Sequence, residues 1–315
     1  MLNYILRRLL LVPLLLLGIT IVVFIMIRMA PGDPVTAQYG LKLSEADPVR
    51  IERLRQELGL YDPLMVQYFR YLGNLLQGNL GISLTTKLPV LLEIKSRFPA
   101  TFELTMASML IVIVFSVPLG ILAALKRGSW LDNGLMAFSL FGVSMPAFWL
   151  GIMLILLFSI TLGWVPTSGR GDGPLFSRLE YLVLPAVTLG FAILGINSRI
   201  MRSSMLEVLD QDYIRTAVAK GQKRRIVLTR HALRNALIPI ITLFGIQFAS
   251  LLGGAVIIEM IFAWPGLGRL AVNATMRRDY PVIMGTVLLF SFFYLTASLI
   301  VDILYTLIDP RIRFD

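Results

Sequence analysis

Cysteine is absent from the 315 residues, and histidine occurs once. Without thiols there is no disulfide framework, no thiolate metal site and no thiol nucleophile. A lone histidine removes histidine-cluster metal chemistry as well. Charge is scarce too: Asp, Glu, Lys and Arg make up 15% of the chain, against about 25% in ordinary soluble domains. With 57% hydrophobic residues, the chain is too apolar to stay unfolded in water or to close around one soluble core. Also missing is a glycine loop ending in Lys-Ser or Lys-Thr, the element that cradles nucleotide phosphates. The expected class is an integral membrane protein with no catalytic site of its own. A net charge of +10 raises nucleic acid as a partner only until that charge is located.

What the sequence has in abundance is long uncharged runs. A spanning helix needs about 20 mostly apolar residues, and Leu9–Ile27, Leu104–Leu125, Tyr181–Ser198, Asn235–Ile258 and Tyr280–Val301 all approach or exceed that length. Asn133–Gly169 has no charge over 37 residues, too long for one straight span and too short for two. It reads as one helix from about Gly134 to Leu162, interrupted near Pro146 and followed by an interfacial stretch from Gly163 to Pro166. Six spans result, in an all-α membrane protein. Arg7 and Arg8 before the first run resemble a signal peptide, but the run is too long and no small-residue cleavage site follows. Basic residues concentrate between spans four and five, where Arg199–Arg234 holds nine basic and three acidic side chains. That asymmetry places both termini in the cytoplasm. The positive charge is thus a topology signal, and no nucleic-acid partner is expected.

The segment after the first span reads as an extracytoplasmic helical insertion. Asp47-Pro48 and Asp62-Pro63 each start a short amphipathic helix, and Gly59 and Gly78 end them. Pro89–Ile94 reads as an apolar turn resting on the membrane interface. The chain then divides into residues 1–98, the first span with its helical loop, and residues 99–315, a five-span core. Within the basic loop, Asp212 is placed to cap a short helix, Tyr213–Lys220, closed by Gly221. Thr216, Ala217 and Ala219 keep that helix slim, as insertion into a groove on another protein requires.

These motifs together resemble the membrane-spanning permease subunits of bacterial ATP-binding-cassette importers, in the dipeptide/oligopeptide/nickel class. Such permeases carry Glu-Ala-Ala…Gly in this loop, with prolines at fixed distances beyond it. Here the glycine is Gly221, Ala217 holds the second alanine place, and Pro239 the later proline. Arg215 and Thr216 replace Glu and the first Ala, and Arg234 stands at the earlier proline place. The resemblance extends over the whole chain through Pro31–Pro34, Leu58–Leu60, Gly142–Pro146, Phe262–Gly268, Arg278–Pro281 and Asp309–Arg311. It implies a bacterial inner-membrane importer in which this chain and a second homologous permease line the path. Two cytoplasmic ATPases would grip one coupling helix from each permease, and an extracytoplasmic binding protein would deliver substrate. ATP and magnesium would be used by the ATPases, with no cofactor bound by this chain.

The residues expected to contact an ATPase are Asp212, Tyr213, Arg215, Thr216, Ala217, Lys220, Gly221 and Arg224. Basic residues there also obey the positive-inside pattern, so charge alone does not single them out. Path or gate positions are sought at Pro146, whose break frees a carbonyl, and at Gly253, Gly254 and Glu259. Glu103, Glu259 and Asp302 sit at span ends within expected reach of headgroups or water, and structural pairing is the alternative to function for each. Trp164 and Trp264 are expected to anchor at the interface. His231 is expected to hydrogen-bond at the base of span five, without metal. Di- or oligopeptides are the expected cargo, with glutathione and nickel or metal chelates as alternatives. A secondary transporter would show inverted repeats and midplane charges, and a membrane scaffold would not need the slim helix.

Overall fold

The computed structural model describes residues 2–29, 48–57, 59–253 and 255–308. Among them the chain is helical, and one isolated antiparallel bridge joins Ile82 to Pro89. The order is α1 (Leu2–Met29), α2 (Pro48–Glu57), α3 (Leu64–Leu76), α4 (Val90–Leu125), α5 (Trp130–Ser144) and α6 (Ala147–Thr161). Then follow α7 (Leu175–Leu209), α8 (Asp212–Ala219), α9 (Arg224–Leu252), α10 (Val256–Ile261), α11 (Leu267–Met276) and α12 (Tyr280–Ile308). Pro31–Pro34, Asp47, Leu58, Gly254 and Asp309–Arg311 lie outside the described residues.

The centre of the bundle is the packing of α4 on α7. Lipid exerts no hydrophobic pressure between helices, so tight backbone approach through small residues must hold them. Gly120 supplies one such approach, since a Cβ there would stand 2.7 Å from the Ser198 carbonyl and 2.6 Å from Met201 Cβ. Gly190 supplies another, where a Cβ would meet the Ser108 carbonyl at 3.3 Å. Three of the buried hydroxyls turn back to their own helices: Ser108 donates to Leu104, Thr188 to Leu184 and Ser198 to Leu194. No polar group among these three is left facing hydrocarbon unpaired. Helices α9, α11 and α1 pack in turn on α12, and α1 is the least buried of the spans.

Among the described residues, five helices are long and apolar enough to cross a membrane, and α5 with α6 makes a sixth if the bent pair is one span. The bend is 103°, centred on Pro146 with an extended backbone at φ −61°, ψ 130°. Successive contacts bind the bent pair to α7. Asp132 meets Arg202, Ser139 packs on Gly195, Gly142 on Phe191 and Gly151 on Thr188. Ile155 and Phe158 then join Leu182 and Ala186 in one apolar cluster. The contacts descend steadily along α7, so the bent pair follows that helix from its C-terminal end towards its N-terminal end. The interruption expected near Pro146 is there, as a sharp bend.

Two sequence expectations need correction. Pro89–Ile94 is no interfacial turn: Val90 and Ile94 open α4 and are buried against Leu267, Leu270, Ala274 and Val282. The same helix runs through residues 98 and 99. Span five is shorter than its apolar run, since α9 ends at Leu252 and the chain turns at Gly253 before α10. Apolarity continues past that point into a separate short helix, α10, of which Ile258 and Glu259 are buried in protein while Ile257 and Met260 are exposed.

Candidate functional site

Two regions at opposite ends of α7 gather the chemistry. At the first, α7 ends at Leu209 and α8 begins at Asp212. Gln211 occupies the capping position without a side-chain hydrogen bond, so Asp212 is the first helical residue and not the cap. At the far end the Gly221 N–H donates to Val218 and the Gln222 N–H to Ala217, at 2.9 and 3.3 Å. This is the paired closure that requires a left-handed residue after the helix, and Gly221 supplies it at φ +74°.

Helix α8 has one face in and one face out. Ile214 and Ala217, three residues apart, are buried with Met201, Met205, Val227, Ala232 and Ala236 from α7 and α9. Asp212, Arg215, Thr216, Ala219 and Lys220 are exposed. Asp212 and Arg215 form a 3.5 Å ion pair on the surface, which contributes little in water. Of the expected contact residues, Ala217 is therefore turned inward and seats the helix. Tyr213 accepts a 2.9 Å hydrogen bond from Asn235 of α9, and Arg224 stands exposed at the start of α9. His231 pairs with Gln222 at 2.9 Å, and among the described residues no cluster could hold a metal ion.

The second region is built around Glu259. It is fully buried, not within reach of headgroups. Its carboxylate accepts from the Thr101 hydroxyl at 2.7 Å and from the Arg269 N–H at 2.8 Å. Thr101 in turn accepts from the Leu267 N–H at 2.8 Å. The acid thus closes the N-terminus of α11, where the free N–H groups and helix dipole favour negative charge. Burial pushes the Glu259 carboxyl above its ordinary range, while the N–H groups of Arg269 and Gly268 and the Thr101 hydroxyl pull it down. The glycines of Phe262–Gly268 make room: a Cβ on Gly266 would lie 2.1 Å from the carboxylate. Trp264 is also buried, its Nε1–H donating to the Ala100 carbonyl at 2.8 Å. It is a clamp between α4 and the α10–α11 turn, and the expected interfacial anchor is Trp164 alone, which is largely exposed.

Glu103 at the same end is paired, accepting from Arg170 Nε at 2.9 Å and Arg178 Nη1 at 3.3 Å. Gly253 lines an apolar cleft between α1, α9 and α12, beside Ile19, Ser250, Ser291 and Tyr294. Pro146 lies on the exposed outer side of the bend. The structure does not bring Pro146, Gly253 and Glu259 together.

Sequence reading passed over two features. Asp132, which is buried, and the partly buried Arg202 form a bidentate pair, in which Arg202 Nη2 donates at 2.7 Å and Nε also donates. The signal was Ser129-Trp-Leu-Asp132, a capping-box spacing, and the Asp132 N–H does point to Ser129 Oγ. The other is Asp279, which ties the segment before α4: Ser83 Oγ, Leu84 N and Thr85 N donate to it at 2.6, 3.0 and 3.0 Å.

Comparison with known proteins decides the family. Residues 116–314 match the model of the binding-protein-dependent transport system inner membrane component, and residues 1–105 match that family's N-terminal model. The chain belongs to this family. It is 46% identical, over 99% of both chains, to the di/tripeptide transport system permease protein DppB of Pseudomonas aeruginosa. It is 46% and 44% identical, over the full length of both, to the glutathione transport system permease proteins GsiC of Pectobacterium atrosepticum and Escherichia coli K12. In fold it resembles a chain of the inward-facing MetNI methionine ABC transporter, with TM-score 0.56 at 18% identity over 70% of this chain and 97% of that one. The protein is a multi-pass inner-membrane permease subunit of a binding-protein-dependent ABC importer.

Proposed function

We propose that this permease carries short peptides, including glutathione, across the inner membrane as one of two homologous permeases. Both named relatives serve peptide cargo, and glutathione is itself a tripeptide. The observation that carries the coupling role is α8: Ile214 and Ala217 seat it on α7 and α9 while Asp212, Arg215, Thr216 and Ala219 face outward. A helix held on one side and bare on the other is shaped for a groove on a partner. The partner is a cytoplasmic ATPase, one for each permease, and ATP with magnesium is bound and hydrolysed there. This chain contributes no catalytic group and holds no cofactor. Arg215, Lys220 and Arg224 supply charged contacts, Tyr213 and Ala217 fix the helix, and Gly221 ends it. The loop carrying α8 lies in the cytoplasm with both termini, following its nine basic residues. Pro146 and Gly253 act as bending points along the path, and Glu259 anchors the wall at its outer end.

The test is uptake of a labelled dipeptide into proteoliposomes holding both permeases and both ATPases, with the binding protein added outside. Uptake that depends on ATP and on the binding protein, and is competed by glutathione, supports the reading. A binding protein that retains a metal chelate and no peptide in native mass spectrometry would overturn the peptide assignment.

A further inference from the structure

The pair formed by Asp132 and Arg202 lies outside every role described so far, yet its position is specific. Arg202 is on α7 beside Met201, and Met201 and Met205 form the bed on which Ile214 and Ala217 of α8 rest. On its neighbouring face the same stretch of α7 grips α5 through Arg202. The grip is two-toothed, with Nε and Nη2 on separate oxygens of one carboxylate, a geometry that fixes orientation as well as distance. Asp132 has a third partner, the Gly128 N–H at 2.9 Å, which ties in the α4–α5 turn. Its side chain is 3% exposed and that of Arg202 19%. A pair so shielded keeps its strength where a surface pair would lose it to water and salt. From Asp132 helix α5 runs unbroken to the 103° bend at Pro146.

We infer that Asp132 and Arg202 are positioning residues that transmit the movement of α8 through the end of α7 into α5, so that the broken span changes its bend at Pro146 when the ATPases close. The inference rests on the proposed seating of α8 in an ATPase. The contacts supply the mechanical requirement for coupling, a continuous packed path with a hinge at its far end. Above the pair, the contacts of α5 with α7 include small and ring contacts, Gly195 on Ser139 and Phe191 on Gly142 and Phe138. Such contacts permit rotation, whereas the bidentate pair does not. Drive enters at Asp132, and the chain is free to bend beyond it.

The test uses the assembled importer in nanodiscs, comparing nucleotide-free and ADP-vanadate-trapped states by spin-label distances. The chain has no native cysteine, so introduced labels are the only ones it carries. Phe141→Cys with Ile300→Cys reports α5, and Val218→Cys with Ile300→Cys reports α8; all three positions are exposed. In the wild type both distances shift on trapping. In Arg202→Gln and Asp132→Asn the α8 distance still shifts, the α5 shift is lost, and stimulation of ATPase activity by the binding protein falls roughly tenfold. The exchange Asp132→Arg with Arg202→Asp restores the α5 shift, which a general loss of stability would not allow, and ATPases co-purify with every variant. An α5 shift in Arg202→Gln equal to the wild type overturns the inference. A wild-type α8 that does not shift overturns instead the lever reading beneath it, so the two failures are separable.

Discussion

Gly266→Ala and Glu259→Ala should each destabilise the protein, yet together they should cost scarcely more than Glu259→Ala alone. Gly266 has an extended backbone, φ −98° and ψ −175°, so alanine meets no conformational penalty there. The obstacle is spatial, since the three atoms nearest an added Cβ all belong to Glu259, at 2.1, 2.3 and 2.5 Å. A free carboxylate would swing aside, but this one is pinned by Thr101 and Arg269 in a fully buried site. Displacing it should cost about 2 kcal/mol, as overpacking does. Glu259→Ala leaves the Arg269 N–H and the Thr101 hydroxyl without an acceptor, at about 1–3 kcal/mol for each orphaned group, or about 3 kcal/mol together. In that background the Cβ at 266 enters vacated space, and its penalty disappears. The cycle therefore predicts a coupling of about 2 kcal/mol between the sites. Unfolding by SDS from detergent micelles measures it, with the fluorescence of Trp264 as probe, because it is 0% exposed while Trp130, Trp149 and Trp164 are 80, 43 and 67% exposed. Additive costs would refute the clamp.

Other outcomes follow from the same geometry. Gly221→Pro removes the N–H that closes α8 and forbids its φ of +74°; substrate-stimulated ATPase activity should vanish while membrane insertion, read by protease accessibility, is unchanged. Gly221→Ala, with open space around the new Cβ, should cost only about 1 kcal/mol of stability in the same SDS titration. Gly120→Leu should force α4 from α7 at the Ser198 carbonyl and cost more than about 2 kcal/mol, seen as loss of folded protein in detergent gel filtration. The raised pKa of Glu259, caused first by burial, means the folded state holds its proton more firmly than the unfolded one. That contribution is complete below the unfolded carboxylate pKa and is lost as pH rises through the folded value. Wild type should thus lose stability relative to Glu259→Gln as pH rises above the ordinary carboxylate range; the opposite slope would show that the N–H donors outweigh burial.

Much of this architecture is legible in composition and run length, because bilayer thickness fixes how many apolar residues a span needs. The loop helix was legible for a different reason: Gly221 closes it with local backbone chemistry, and although Asp212 is its first residue and not its cap, the helix boundaries shift by one residue only. What the sequence hides is where an element rests. Trp264 and Glu259 lie beside an apolar run and suggest a membrane boundary, yet both are buried by α4, which lies far away in sequence. Asp132 and Arg202, 70 residues apart, look like ordinary flanking charges until α5 and α7 are aligned. Val90 and Ile94 look interfacial because their partners, Leu270 and Val282, come from the last third of the chain. Local pattern announces an element; only the partner decides which side of it is buried.

The outward face of α8 offers the most direct test of the central claim. Thr216 is exposed and its hydroxyl donates to the Asp212 carbonyl of the same helix, so Thr216→Trp should leave the fold intact while blocking a groove. The measurement is recovery of the ATPase subunits when this permease is purified in detergent with its partner permease. The account predicts wild-type expression and thermal stability with the ATPases lost from the complex and binding-protein-stimulated hydrolysis abolished. Full recovery of the ATPases with normal stimulation would contradict it.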